Sequence, residues 1–209
     1  MANECRNYIS IKGDNELLKV FADSYLKKND DGDYELDFNI IAPIPKNCEN
    51  DYAFRIENWG NKWDGTHGYV TFYQNYENID DNIYISVSTA WGPCDKITYK
   101  LISLCPGLYF YHEYYESGDG FVGWIEHHPD KGPDDYEDVY YDVSQDPYHY
   151  WFWMFEKEFE NFDWLYDHLD WLLEDEEISK EVCETGQKMI KDGESIESIV
   201  NYCIAEGVL

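Results

Sequence analysis

Carboxylates at helical spacing form the clearest chemical pattern in this sequence. They recur every three or four residues between residues 155 and 177: Glu156, Glu160, Asp163, Asp167, Asp170 and Glu174. Acids at this spacing share one face of an α-helix, where water leaves every carboxyl ionised and equivalent. A catalytic carboxylate pair needs two pKa values pushed apart across a cleft. The pattern therefore predicts a charged binding surface, and we assign no catalytic residues.

An apolar row runs beside the acidic row and predicts one rod-like helix over Phe155–Glu177. The apolar row consists of Phe155, Phe159, Phe162, Tyr166, Leu169 and Leu173. Adjacent residues are turned by about 100° on a helix, so the two rows lie side by side. Like charges four residues apart destabilise a helix by about 0.2–0.5 kcal/mol per pair. The alternative interpretation of the acids is a solvated helix face.

Other motifs in the sequence predict neither a cofactor nor a metal. Gly118–Gly123 has the glycine spacing of a dinucleotide site, but a strand and not a helix follows it, which indicates a hairpin turn. Asn29–Asp33 has the wrong order of Asp and Gly for a calcium loop. His127 and His128 are adjacent in a strand and point to opposite faces, which is a poor geometry for binding one metal ion.

The charge of the chain favours a basic partner. The 209 residues carry a formal net charge of −29. Residues 1–126 hold 10 basic and 21 acidic side chains (net −11), and residues 127–209 hold 5 and 23 (net −18). Phosphate binding requires Lys and Arg, so this balance disfavours direct binding to nucleic acid or to an anionic membrane.

One acidic helix is too sparse to imitate duplex DNA by itself. A helical row offers a carboxylate about every 5.4 Å, whereas the duplex carries one charge per roughly 1.7 Å. We therefore predict that further acids join the surface and that tryptophans anchor it. The additional residues are Asp134, Asp135, Glu137, Asp138, Asp142, Trp164 and Trp171.

The order of predicted elements indicates an α+β fold, a ferredoxin-like split βαβ sandwich with an acidic helical C-terminal extension. Strands are predicted at Arg6–Lys12, Phe54–Trp59, Gly68–Tyr73, Asn82–Thr89, Leu108–Tyr114, Phe121–Glu126 and Asp138–Val143. Helices are predicted at Asn15–Lys28, Pro93–Leu104, Ser179–Lys191 and Ser195–Ala205, with a further helix starting at Asp146-Pro147. The breaker cluster after Glu126 places a domain boundary there, which gives domains 1–126 and 127–209.

The cysteines and the N-terminal residues favour a reducing cytoplasm as the location. The sequence contains 6 cysteines, without a C-x-x-C pair or a zinc-type cluster, so we expect free thiols. No signal peptide and no membrane-spanning apolar run is recognisable.

Four short stretches of residues 1–126 together resemble Api92-like proteins with a YubB-type ferredoxin-like domain, a family of phages and plasmids. They are Asn3–Gly13, Asp37-Phe38 with Pro43–Pro45, Glu57–Trp63, and Thr89–Pro93 with Leu101, Leu104, Pro106 and Gly123. The resemblance implies the sandwich fold and a mobile-element origin, with no activity, cofactor or catalytic residues. Glu4 and Gly92 depart from the family pattern. We interpret Trp59, Trp63 and Trp91 as one structural cluster over the sheet.

These observations favour a non-enzymatic inhibitor that binds the nucleic-acid-binding groove of a host defence protein. A CRISPR effector or a nuclease would be such a partner, so the chain would act as an anti-CRISPR or anti-restriction protein and a partial nucleic-acid mimic. Two alternatives remain open. The aromatic helix would also suit a homo-oligomer such as a homodimer, and aromatic platforms with carboxylates would suit a carbohydrate-active or sugar-binding module.

Overall fold

The computed structural model describes residues 3–48, 50–75, 78–157, 162–175 and 177–209. The protein belongs to the α+β class, as predicted, and its chain divides into two compact units, Met1–Tyr140 and Tyr141–Leu209. The division lies beyond Glu126 because the strand that follows the breaker cluster still joins the sheet.

The first unit is built on one antiparallel sheet. Its elements are β1 (Glu4–Lys12), α1 (Asn15–Tyr25), β2 (Leu26–Lys28), β3 (Tyr34–Leu36), α2 (Phe38–Ile41), α3 (Asp51–Asn58), β4 (Thr66–Asn75), β5 (Asn78–Ala90), α4 (Asp95–Leu104), β6 (Tyr109–Glu116), β7 (Phe121–His127) and β8 (Tyr136–Asp142). The sheet has 6 strands in the order β4-β5-β1-β6-β7-β8, and β2 and β3 form a separate hairpin. The order β4-β5-β1-β6, with α1 and α4 as the crossovers, is the predicted split βαβ arrangement.

Strict alternation along β1 decides which sheet face is the core. Cys5, Asn7, Ile9 and Ile11 are buried, whereas the residues between them are more exposed. The buried face packs against the apolar sides of α1 and α4, including Phe21 and Leu101. Such alternation is typical of a sheet that is covered by helices on one side only.

Three sequence predictions for the first unit are wrong. The strand expected at Phe54–Trp59 lies mostly in helix α3, because Asn50 caps that helix by accepting a hydrogen bond from the Ala53 N–H at 3.0 Å. Helix α1 ends at Tyr25, before the predicted Lys28, because the next residues pair with β3. The sequence predicted a loop, without a helix or strand, over Asp37–Pro45, but this segment contains the short helix α2.

The second unit is helical. It contains α5 (Pro147–Lys157), α6 (Asp163–Glu174), α7 (Lys180–Lys191) and α8 (Ile196–Ala205). The predicted start at Asp146-Pro147 is confirmed, because Asp146 accepts a hydrogen bond from the His149 N–H at 3.2 Å. The single helix predicted over 155–177 is wrong, because Phe162 is a non-helical N-cap at which α6 starts separately from α5. Because the helices are separate, Phe155 of α5 and the leucines of α6 pack in one core. On one straight helix, these residues would be separated along the axis by about 1.5 Å for each residue between them.

A buried polar network ties β1 to both neighbouring strands and to α4. The Asn7 side-chain NH₂ donates to the Val87 carbonyl at 3.2 Å and to Thr89 Oγ1 at 2.8 Å. Its carbonyl oxygen accepts from the Cys94 N–H at 2.9 Å and lies 3.1 Å from His112 Nε2. Since Asn7 Oδ1 can only accept, Nε2 carries the imidazole proton.

The other nitrogen of His112 therefore acts as an acceptor. Thr98 Oγ1 lies 2.9 Å from His112 Nδ1 and supplies the donor. Every ring nitrogen of this fully buried imidazole thus has a partner in the neutral state. Burial lowers the pKa of His112 to about 3.

The neutral His112 predicts a pH dependence of folding stability. Because the folded-state pKa lies below the unfolded value, its contribution is complete above about pH 6.5 and is lost as the pH falls towards 3, at up to about 1.4 kcal/mol per pH unit. Urea unfolding between pH 3.5 and 7, compared with His112→Gln, measures this slope.

The measured quantity is the difference between the pH slopes of the wild type and His112→Gln. A second, partly buried group, Asp64, changes the stability with pH in the opposite direction. Burial raises the pKa of Asp64 to about 6, so its contribution is lost as the pH rises from about 4 to 6. Asp64 is present in both proteins and cancels between them. Equal pH slopes in wild type and His112→Gln would contradict the prediction.

Candidate functional site: the outer face of helix α6

Helix α6 packs through a leucine row that differs from the predicted one. Leu165, Leu169 and Leu172 are buried in the core of the second unit. Of the predicted apolar row, Leu169 is confirmed as a core residue, whereas Phe162, Tyr166 and Leu173 are only half-buried. The centre of the buried row is therefore turned by about 60° around the helix axis from the predicted orientation, and Leu169 belongs to both rows. This rotation decides what faces the solvent.

The acidic row of α6 lies on the side of the helix opposite the leucine row. Its members Asp163, Asp167, Asp170 and Glu174 are all exposed. With about 100° per residue, their average direction is roughly half a turn from that of the buried leucines. The structure therefore confirms an acidic helix face over α6, although it does not test what that face binds.

The carboxylates of this row are not equivalent. Asp170 accepts a hydrogen bond from Gln187 Nε2 of α7 at 2.6 Å and a weaker one from the Cys183 thiol at 3.7 Å. Burial, followed by the charge of Asp170, raises the pKa of Cys183. Among the residues that the structure describes, Asp167 and Glu174 have no ion-pair partner, so their charges are available to a ligand.

An aromatic row flanks the acidic row on the same helix. The Trp164 and His168 rings stack at 4.9 Å with 14° between their planes, and His168 and Trp171 stack at 5.7 Å and 18°. Trp151 of α5 extends the stack, since its ring lies 5.8 Å from Trp164. Trp164 and Trp171 are 41% and 51% exposed, which is unusual for tryptophan.

The structure adds His168 and Trp151 to the predicted pair Trp164 and Trp171 as members of one aromatic stack. The signal for His168 was present, because Trp164, His168 and Trp171 follow the spacing of a single helix face. The position of Trp151 in the stack depends on how α5 packs against α6, and the spacing of residues in the sequence does not determine that packing.

Glu156 does not extend the acidic row of α6. Glu156 is exposed near the end of α5, on a different helix from Asp163. Glu160 lies outside the described residues, as does Phe159 of the predicted apolar row. The continuous acidic ridge that the sequence predicted is thus interrupted at Phe162, before α6 begins.

The acids predicted around β8 are mostly engaged in local contacts. Tyr99 donates a hydrogen bond of 2.5 Å to Asp138 Oδ2, and burial, followed by this bond, raises the pKa of Tyr99. Asp135 lies 4.0 Å from the Lys131 ammonium. Asp134 and Glu137 are exposed, and all four acids belong to the first unit.

Asp142 belongs to the second unit and stabilises a turn. Its carboxylate accepts from the Ser144 N–H at 2.8 Å and from the Ser144 hydroxyl at 2.5 Å, and these bonds lower the pKa of Asp142. The predicted partner-binding acids are therefore distributed over both units. Trp164 and Trp171 lie on α6, so the acids that share a helix with them are the exposed acids of α6.

Trp59, Trp63 and Trp91 do not form the single cluster that was predicted. Trp59 is buried, packs edge-on against Phe38 at 5.9 Å and donates to the Ala42 carbonyl at 2.8 Å. Trp63 and Trp91 share a cation, since Lys62 Nζ lies 5.4 and 5.0 Å from their ring centroids. Trp91 has φ of 65°, a strained value for a bulky residue, and is 45% exposed.

The described residues form neither a metal-ligand group nor a membrane-spanning helix. Within the described part of the chain, His, Cys, Asp and Glu form no group of three suited to a metal ion. The 6 cysteines carry free thiols. Over the same residues, no helix combines the length and apolarity that a membrane crossing demands.

Comparisons with known proteins give one distant structural relation. No family model matches the sequence, and no curated protein sequence matches it either. The crystal structure of protein api92 from Yersinia pseudotuberculosis is similar over 66% of this chain and 98% of that chain, with 7% identity and a TM-score of 0.48.

The geometry of α6 predicts that its acids are destabilising in the unbound protein. Asp167 lies four residues from Asp163 and three from Asp170, so Asp167→Asn should stabilise α6 by about 0.4–1 kcal/mol. Amide hydrogen exchange of α6 measures this locally. The gain should disappear in about 1 M salt, and Asp30→Asn, in an exposed turn, is the control without helical neighbours. An unchanged or faster exchange rate in Asp167→Asn at low salt would contradict the prediction.

Proposed function

We propose that the outer face of α6 binds an arginine-rich surface of a host protein and that the chain is a non-enzymatic inhibitor. The observation that carries the proposal is the parallel arrangement of an acidic row and a stacked, exposed aromatic row on one helix. A guanidinium group stacks on an aromatic ring and pairs with a carboxylate through its N–H donors. Arginine is the natural side chain that uses both rows at once.

Arginine-rich surfaces are typical of proteins that bind nucleic acids. We therefore propose a CRISPR effector or a nuclease as the partner, in the cytoplasm of a bacterial host, with the chain encoded by a phage or plasmid. The mimicry is partial. Four carboxylates about 5.4 Å apart neutralise few of the cations that a duplex would contact, so Trp164 and Trp171 contribute the remaining contact energy.

A second proposal concerns ancestry. The motif order from Asn3 to Gly123, which includes Trp59-Gly60, Lys62-Trp63 and Thr89–Trp91, supports a distant membership of the first unit in the Api92-like family with a YubB-type domain. That family carries no established activity, so the binding function is argued from the second unit alone.

The binding proposal predicts a salt-sensitive partner. Tagged protein incubated with bacterial lysate at low salt should retain a basic nucleic-acid-binding protein, and added nucleic acid should compete with it. The double variant Asp167→Asn with Glu174→Gln should weaken this complex about tenfold, and Trp171→Ala should accelerate its dissociation.

The matched control is Asp30→Asn with Asp31→Asn, which removes the same charge from an exposed turn of the first unit. If both double variants weaken the complex equally, net charge and not the α6 face is responsible, and the proposal fails. It also fails if no basic protein is retained at low salt.

The two alternatives give different results in solution. A homo-oligomer formed through the aromatic row would persist in high salt, and light scattering across a salt series would detect it. A carbohydrate-active enzyme would lose its activity through one or two carboxylate substitutions, whereas a charged surface weakens gradually as acids are removed.

A further inference from the structure

The face of the sheet that the helices α1 and α4 leave uncovered contains a pocket of about 530 Å³. Its volume falls within the range of small-molecule sites, about 300–1,000 Å³. The lining combines aromatic rings, hydroxyls and single charges of each sign. It includes Tyr8, Ser10, Lys12, Tyr69, Thr71, Tyr84, Ser86, Tyr111 and Glu113.

Strand register explains why a pocket forms on a flat surface. Ser86 of β5 lies between Tyr69 of β4 and Tyr8 of β1 in the cross-strand pairing. Two strand spacings, or roughly 9–10 Å, separate the backbones that carry these two tyrosines. The short side chain of Ser86 forms the floor of the pocket, and Tyr69 and Tyr8 form two walls. One ring of a ligand can therefore enter between the tyrosines edge-on.

The next cross-strand row repeats the same construction. Ser10 of β1 pairs with Tyr84 of β5 on one side and with Tyr111 of β6 on the other. The two serines therefore sit on neighbouring strands, each flanked by tyrosines. Tyr69 and Tyr84 are 58% and 45% exposed, and within the described part of the chain their rings stack on no other aromatic ring.

One carboxylate oxygen of Glu113, Oε2, is buried in the pocket wall without a hydrogen-bond donor among the described residues. Glu113 pairs with Tyr8 across the strands. Burial, followed by the Glu113 charge and a hydrogen bond from the Tyr111 phenol to the Glu113 carboxylate, raises the pKa of Tyr111, which keeps that phenol protonated. A buried carboxylate oxygen without a donor is costly, so it favours a ligand that brings one.

The charges of the lining limit the class of ligand. Lys12 and Glu113 balance each other, which makes the pocket electrically neutral in a chain of net charge −29. A polyphosphate or a nucleic acid strand needs an excess of cations. A basic peptide would need an excess of acids here. An uncharged ligand with stacking faces and hydroxyl donors matches the lining best.

We infer that this pocket binds a saccharide. A sugar ring stacks its C–H face on the tyrosines and donates hydroxyl hydrogens to Glu113 Oε2, while Ser10, Thr71 and Ser86 offer further hydroxyl partners. The pocket binds and does not cleave the sugar, because Glu113 is the one carboxylate in its described lining and hydrolysis of a glycosidic bond ordinarily uses two.

The test is a titration of the full-length protein with cello-, chito-, manno- and malto-oligosaccharides, followed by NMR of the Tyr8, Tyr84 and Ser86 amides. At least one saccharide should give saturable shifts at these positions at up to about 10 mM. Ser86→Tyr fills the floor of the pocket and Tyr84→Ala removes a wall, so each should weaken binding about tenfold or more.

The matched control is Tyr140→Ala, an exposed tyrosine of β8 that does not line the pocket. It should leave the affinity unchanged. Far-UV circular dichroism checks that each variant is folded. Failure of every saccharide to shift the pocket resonances overturns the inference. Binding of a nucleoside or single-stranded RNA in place of a saccharide overturns it as well, as does an equal loss in Tyr140→Ala.

Discussion

The hydrogen bonds of Asn7 are the constraint on which the first unit depends. Its carboxamide contacts β5 and His112 of β6 and also receives the N–H of Cys94 at the start of α4. A slip of one residue in β1 would move Asn7 to the open face and leave these partners buried without a hydrogen bond. The network therefore fixes the register of the central strands. That register also positions Ser10 and Tyr8 on the opposite face, where the pocket lies.

The fold could be predicted where a single period dominates a segment. Alternation along β1 and β5 and the capped helices α7 and α8 are examples, because each pattern implies one element. The strand prediction for Phe54–Trp59 was wrong because the aromatic and β-branched residues of this segment favour a strand. The N-cap at Asn50 stabilises a helix there instead. The break at Phe162 could not be recognised from the sequence, because the apolar spacing continues through it.

The two candidate surfaces differ in how much of them the sequence could show. The acids of α6 lie on one local helix, so spacing alone placed them together. Which apolar row would be buried depended on the packing of Leu165 and Leu172 against α7 and α8, and a period leaves that rotation undetermined. The sheet pocket required the pairing of Tyr69, Ser86 and Tyr8 from three strands, and pairing register is a tertiary property.

Magnitudes decide whether the α6 face is formed before it meets a partner. The like-charge neighbours along the acidic row destabilise the helix by about 0.2–0.5 kcal/mol per pair. Burial of each leucine of the row formed by Leu165, Leu169 and Leu172 contributes about 1.5–3 kcal/mol. The core outweighs the repulsion severalfold, so the helix holds its acids and its stacked rings in place without a ligand. A preformed surface loses little conformational entropy on binding, and a sparse row of four carboxylates needs that advantage to compete with a polyanion.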